Sequence, residues 1–199
     1  MRDGYDTIGE QYLHDRPDDG HDVALLDDLV GRLAAADLVL DAGCGAGVPV
    51  ASHLTDASLA VVGLDLSRRQ LTRARELRAV RHVTQADLAA LPFRDETFAA
   101  VVSYYAVIHV PRTDHHRVHT EMHRVVRAGG FALLCLGASD LPEDHDPESW
   151  LGAPMYWSHF DATTNLSMLE AAGFRIVWHR LIADPMAHGH HLFVLATRS

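Results

Sequence analysis

The stretch VLDAGCGAGVPVASHL, residues 39–54, constrains this chain more than any other. It runs as an apolar strand to Asp41, passes glycines at 43, 45 and 47, and continues as an apolar segment that can turn helically. Strand, side-chain-free turn and helix in that order put bare backbone at the carboxyl edge of a sheet, where open α/β folds hold their ligands. A dinucleotide fingerprint G-x-G-x-x-G begun at Gly43 requires glycine at 48, but the chain has Val48 and reads D-x-G-x-G-x-G. A pyrophosphate wants helix amides, whereas an acid beside the turn suits a nucleoside that carries an amino acid.

The rest of the chain alternates short apolar runs with helical patterns, as a parallel sheet covered on both faces demands. Leu38–Leu40, Leu59–Leu64, Phe98–Ser103, Phe131–Leu136, Phe174–Ile182 and Leu192–Ala196 read as strands. Ser67 and Gln70 form a capping box ahead of the face Leu71, Ala74, Leu77. Thr113 or Asp114 starts a helix striped by Val118, Met122, Val125 and Val126, with Gly129 placed to end it. Asp161 caps another, with Gly173 just beyond. Residues 1–36 read as a cap of one or two helices joined through Pro17, Asp18, Asp19 and Gly20. The expectation is one domain over residues 1–199, with 138–160 inserted.

Two further acids extend the pattern set by Asp41. Asp65 closes the run LAVVGL 22 residues after Gly43, where a carboxylate can accept both hydroxyls of a ribose, with Leu66 beside it. Asp87, in QADLAALPF, follows 22 residues later at the end of the third strand, within reach of an adenine amine, with Leu88 next to it. Three acids at three successive strand ends describe a cationic adenosine ligand rather than a polyphosphate. Each also has a plain structural reading: the glycines as a tight turn, Asp65 as part of a helix cap, Asp87 as a surface-turn acid.

Composition removes other classes. A net charge of −10 with no basic run argues against nucleic acid or an anionic membrane surface as partner. No stretch approaches the roughly 18 apolar residues of a membrane span, and the polar, acidic N-terminus lacks an export signal, so a cytoplasmic location is expected. Cys44 and Cys135 lie beside strand-like sequence and read as reduced thiols, Cys44 as a small turn residue. All 17 cationic side chains are arginines, which excludes a P-loop lysine and a pyridoxal Schiff base.

In this order, VLDAGCGAG, VVGLDLS, QADLAALPF, FAAVVSYYAVIHVPR and RVVRAGGFALL resemble the motifs of class I S-adenosylmethionine-dependent methyltransferases over residues 38–137. The resemblance implies a Rossmann-like, doubly wound seven-stranded sheet, mostly parallel with an antiparallel last strand. It implies S-adenosylmethionine as cofactor, the methionine portion over Gly43, Gly45 and Gly47, the ribose on Asp65, the adenine between Asp87 and Leu88, and Ser103 contributing backbone near the methionine amine. Tyr5, Tyr12 and Arg16 close over the methionine carboxylate by the same likeness. The family often has proline before the paired glycines of the last motif; here Arg127 and Ala128 precede Gly129 and Gly130.

Methyl transfer asks mainly for positioning, and for a base only if the acceptor atom carries a proton. Tyr104, Tyr105 and His109 follow the fourth strand on the acceptor side, with His109 the first candidate base or else a structural hydrogen-bond partner. The insertion at 138–160 reads as a lid: its acidic half solvated, its aromatic half walling the acceptor pocket with Trp150, Met155, Tyr156 and Trp157, and His159 the second candidate base. Packing of the loop onto the sheet is the plain alternative. His115, His119 and His123, and the group His188, His190, His191, have helical or clustered spacing, but an exposed helix face explains the first set and no metal site is expected. The expected partner is a small-molecule acceptor, and a homodimer is compatible with it. The rival readings are a silent S-adenosylmethionine-binding subunit and a nicotinamide-dependent oxidoreductase.

Overall fold

Phe98–Ser103 is buried at every position, and that uniform apolarity is what the middle of a sheet covered on both faces requires. The structure, a computed structural model, describes residues 2–199, with side chains at 3–143 and 150–199. Helices α1 (Arg2–Asp15) and α2 (Leu25–Val30) lead into β1 (Leu38–Ala42), α3 (Val50–Asp56), β2 (Ala60–Asp65), α4 (Arg68–Glu76) and the short β3 (His82–Gln85). There follow β4 (Phe98–Ser103), α5 (His115–Val125), β5 (Val126–Gly137), β6 (Leu141–Trp150), β7 (Ala153–His159), α6 (Ala162–Ala171), β8 (Phe174–Ala183) and β9 (His190–Arg198).

Seven strands form one sheet in the order β3-β2-β1-β4-β5-β9-β8. Neighbours from β3 to β5 pair in parallel, and β9 runs antiparallel to both β5 and β8. This is the expected doubly wound sheet with an antiparallel last strand. Strand order reverses between β1 and β4, which opens a crevice at their carboxyl ends. Alternate residues feed two cores. Val39, Leu54, Leu26 and Leu29 pack on one face with Phe193; Leu40, Leu64, Met122 and Val125 pack on the other with Val194. No helix among the described residues is long and apolar enough to cross a membrane.

Several local expectations change. Ser67 Oγ accepts from the Gln70 N–H as a cap should, but the Gln70 amide turns away from a capping box and donates to the Tyr5 carbonyl at 2.9 Å. That bond ties α1 to α4. Gly129 does not end α5: the helix stops at Val125, Val126 already belongs to β5, and Gly129 sits inside the strand at φ +72° where the pairing with β4 slips register. His115 and His119 lie on a buried face, not an exposed one, with His119 wholly buried. The 138–160 insertion is a β-hairpin, β6 on β7, packed against α1 through Met155, Ala153 and Ile8. Side chains of the acidic run 144–149 lie outside the described residues.

Candidate active site

The crevice at the reversal holds a cavity of about 290 Å3, floored by the glycine turn and covered by α1. Gly43 is the residue the floor cannot exchange. Its φ is +86° and a Cβ there would meet the Ala106 Cβ at 2.3 Å. The turn is stitched to β2 rather than left free: Gly43 N–H and Cys44 N–H both donate to the Leu64 carbonyl, and Gly45 N–H donates to Asp65 Oδ2 at 2.9 Å. Asp65 Oδ1 takes the Ser67 N–H at 2.7 Å. The expected cap role of Asp65 is therefore real, and each carboxylate oxygen keeps a second lone pair for a ligand.

Asp41 is the electrostatic oddity of the site. It is 2% exposed, and its Oδ2 has no hydrogen-bond partner. Burial, reinforced by the neighbouring Asp65, pushes its carboxyl up to about 8. Burial also raises Asp65, against the amides of Ser67 and Gly45, which pull it down. Opposite them stands a cation with a spare donor. Arg16 is 7% exposed, pairs through Nη2 with Asp22, lies 4.9 Å over the Tyr105 ring, and leaves Nη1 without a partner. Asp22 also takes the Tyr105 hydroxyl at 3.0 Å, and its carbonyl takes the Tyr104 hydroxyl at 2.9 Å. Asp22 is a residue the sequence did not single out; nothing in the loop around it announces that it anchors the arginine.

Most expected cofactor residues reach the cavity: Tyr12, Asp41, Gly43, Gly45, Asp65, Leu66, Asp87 and Leu88 all line it. Asp87 also accepts the Ala89 N–H at 2.8 Å, so its turn role is present as well. Two do not line it. Gly47 packs under Ala79 and Val80, and Ser103 is wholly buried with its hydroxyl donating to the Ala42 carbonyl at 2.7 Å.

A second cavity, about 200 Å3, adjoins the first and shares Tyr5, Tyr12, Arg16, Tyr105 and His109 with it. Trp150 and Trp157 of the hairpin line this second cavity, while Tyr104 faces only the first. Met155 and Tyr156 line neither: Met155 is buried against α1, and Tyr156 contributes its backbone carbonyl to His109. His109 Nδ1 donates to that carbonyl at 2.7 Å, so its Nε2 is the acceptor for the Tyr5 hydroxyl at 3.0 Å. Burial lowers His109 to about 4, which keeps the ring neutral and makes it a poor proton acceptor near pH 7. His159 is placed away from both cavities. It packs on Gly137 and bonds the Ser139 carbonyl at 2.7 Å. Among the described residues no cluster of three or more metal-ligating side chains exists.

Residues 40–134 match the family model described as a methyltransferase domain. Phosphatidylethanolamine N-methyltransferase of Cereibacter sphaeroides is 42% identical over 104 residues, 48% of this chain and 48% of that protein. Malonyl-[acyl-carrier protein] O-methyltransferase of Enterobacter lignolyticus is 38% identical over 120 residues, 59% of this chain and 47% of that protein. The chain thus spans about half the length of these curated relatives. Among solved structures, the 1,6-didemethyltoxoflavin-N1-methyltransferase of Burkholderia thailandensis, with 1,6-didemethyltoxoflavin and S-adenosylhomocysteine bound, superposes with a TM-score of 0.71 at 20% identity, covering 99% of this chain and 88% of that one.

Proposed function

We propose that the chain is a class I S-adenosylmethionine-dependent methyltransferase, as the match of residues 40–134 to a methyltransferase domain supports, and that it moves the methyl group of that cofactor to a small-molecule acceptor held in the second cavity. The observation that carries the cofactor assignment is a pair of orphaned polar atoms in one cavity, the Oδ2 of the Asp41 carboxyl and the Nη1 of the Arg16 guanidinium. A buried carboxyl without a donor and a buried guanidinium without an acceptor are both costly, and one zwitterionic amino-acid group satisfies the two together. A nicotinamide dinucleotide also offers Asp65 a ribose diol, but its anionic pyrophosphate gives Asp41 nothing.

In this reading Asp41 holds the methionyl ammonium, Arg16 the carboxylate, and Asp65 the ribose hydroxyls, while Asp87 and Leu88 flank the adenine. When bound, the cofactor supplies a methyl carbon open to in-line displacement by the acceptor atom. The chain's own task is to orient that acceptor and keep water out, which α1 and the β6–β7 hairpin do as the two halves of a lid. His109 serves as the pin between them, its Nδ1 on the hairpin and its Nε2 on Tyr5.

Calorimetric titration of S-adenosylhomocysteine into the wild type and Asp65→Ala tests the assignment. A loss of about 1–3 kcal/mol is expected where hydroxyl partners are stranded. Failure of the wild type to bind, or equal binding by the variant, removes it.

A further inference from the structure

The second cavity contains a polar pair that the sequence offered only as part of a histidine cluster. Asp184 and His191 face each other across the turn joining β8 to β9, with His191 Nε2 2.7 Å from Asp184 Oδ2. Both line the cavity. Asp184 Oδ1 also takes the N–H groups of Met186 and Ala187 at 2.7 and 3.0 Å. Burial alone would raise this carboxyl, but the His191 bond and the two amides outweigh it and hold it below the usual range, so it is an anion. An anion only accepts. His191 Nε2 must therefore carry a proton, and in the neutral tautomer this leaves a bare lone pair at Nδ1.

That lone pair is buried and has no partner. Tyr5, Tyr12, Tyr105, Trp150 and Trp157 supply the aromatic part of the cavity's lining. None of the neighbouring charges answers it. Arg16 pairs with Asp22 through Nη2 and stacks on Tyr105, its unpaired Nη1 being the donor assigned above to the cofactor carboxylate; the His109 Nδ1–H goes to Tyr156, the Tyr5 hydroxyl to His109, and the Tyr105 hydroxyl to Asp22. His188 stands on the same turn and is exposed.

We propose that His191, oriented by Asp184, is the hydrogen-bond and proton acceptor of the second cavity, and that the molecule methylated there presents a hydroxyl, thiol or amine hydrogen on its reacting atom. This rests on the methyltransferase reading above. As the reacting atom commits its lone pair to the methyl carbon, the carbon–sulfur pair stays with sulfur and the displaced proton passes to His191 Nδ1. The imidazolium so formed is balanced by Asp184 through Nε2–H, and the proton leaves to solvent when the cavity opens. A carbon acceptor without such a hydrogen would leave Nδ1 unsatisfied.

Nitrogen-15 NMR of the histidine side chains, on protein saturated with S-adenosylhomocysteine, tests this without turnover. His191 is expected in the Nε2–H form, with its Nδ1 resonance moving when phenol, a plain hydroxyl donor, is titrated to its solubility limit. Phenol should bind His191→Phe about fivefold more weakly, the loss of one hydrogen bond, while S-adenosylhomocysteine binds it as tightly as wild type. The opposite tautomer, an Nδ1 signal unmoved by phenol, or undiminished binding of phenol to the phenylalanine variant would each overturn the proposal. Failure of S-adenosylhomocysteine to bind the wild type would instead overturn the cofactor reading, since the tautomer is read in the free protein too.

Discussion

The Tyr5 hydroxyl donates to His109 Nε2 at 3.0 Å across 104 residues of sequence, and the other face of the same imidazole is held by the hairpin carbonyl of Tyr156 at 2.7 Å. One neutral ring thus joins α1 to the β6–β7 hairpin. Tyr5→Phe removes the donor and leaves a buried acceptor unsatisfied, which costs about 1–3 kcal/mol. Urea denaturation should show that loss, and stopped-flow displacement should show faster release of S-adenosylhomocysteine as α1 loosens. An unchanged midpoint and release rate would mean that the two halves of the lid are joined by packing alone.

Asp41 should give up its proton when the cofactor product binds. With its carboxyl at about 8 in the free protein it is mostly protonated at pH 7, and an ammonium beside it forces ionisation. Titrations of S-adenosylhomocysteine at pH 7 in buffers of different ionisation enthalpy should report release of about one proton, and Asp41→Asn should abolish the release and weaken binding at least tenfold. Binding with no proton release in the wild type would contradict the assignment of Asp41 to the ammonium.

The same group makes the free protein pH-sensitive in a defined direction. A carboxyl raised from 3.8 to about 8 by folding favours the folded state below its unfolded value, and that contribution is lost as pH rises through about 8. Between pH 6.5 and 8.5 the free wild type should lose stability in thermal unfolding, and Asp41→Asn should hold level. A parallel decline in the variant would assign the effect to another group.

Arg16 separates the two ends of the ligand. Lysine there keeps a charge for Asp22 but lacks the second nitrogen that a ligand carboxylate needs. Arg16→Lys is expected to weaken S-adenosylhomocysteine about tenfold and to leave 5′-methylthioadenosine, which has no amino-acid end, unaffected. Equal losses for the two ligands would place Arg16 elsewhere in the mechanism.

His119 acts in the acid range. It is wholly buried with neither ring nitrogen bonded, and burial, then the neighbouring His115, lowers it to about 3. A depressed histidine lets the unfolded chain bind the proton first, so stability falls as pH drops from 6.5 towards 3. His119→Leu should be the more stable protein by about 1 kcal/mol at pH 7, and its advantage should grow by up to about 1.4 kcal/mol per pH unit below 6.5. A variant less stable than wild type at pH 5 would show that the ring has a partner.

The sequence by itself determined six of the sheet's seven strands, the central one to the residue, with the glycine turn and the acids at the strand ends, while the count of seven and the antiparallel last strand came from the family resemblance. The strands and the turn follow from local rules: an apolar run bounded by turn residues is a strand, and Asp followed by spaced glycines turns the chain at its carboxyl end, although the crevice there also needs the reversal of strand order between β1 and β4. What only the tertiary structure decided depends on contacts between distant segments. His159 looked like His109 in sequence, yet it bonds Ser139 behind the hairpin while His109 stands between two cavities. Arg16 lines the cavity with one nitrogen bare because Asp22 takes the other. The histidines at 188, 190 and 191 read only as a cluster without a role; pairing of β8 with β9 set one of them against Asp184. Which partner a polar atom meets, and which atom is left without one, is fixed by the packing of segments that no spacing rule connects.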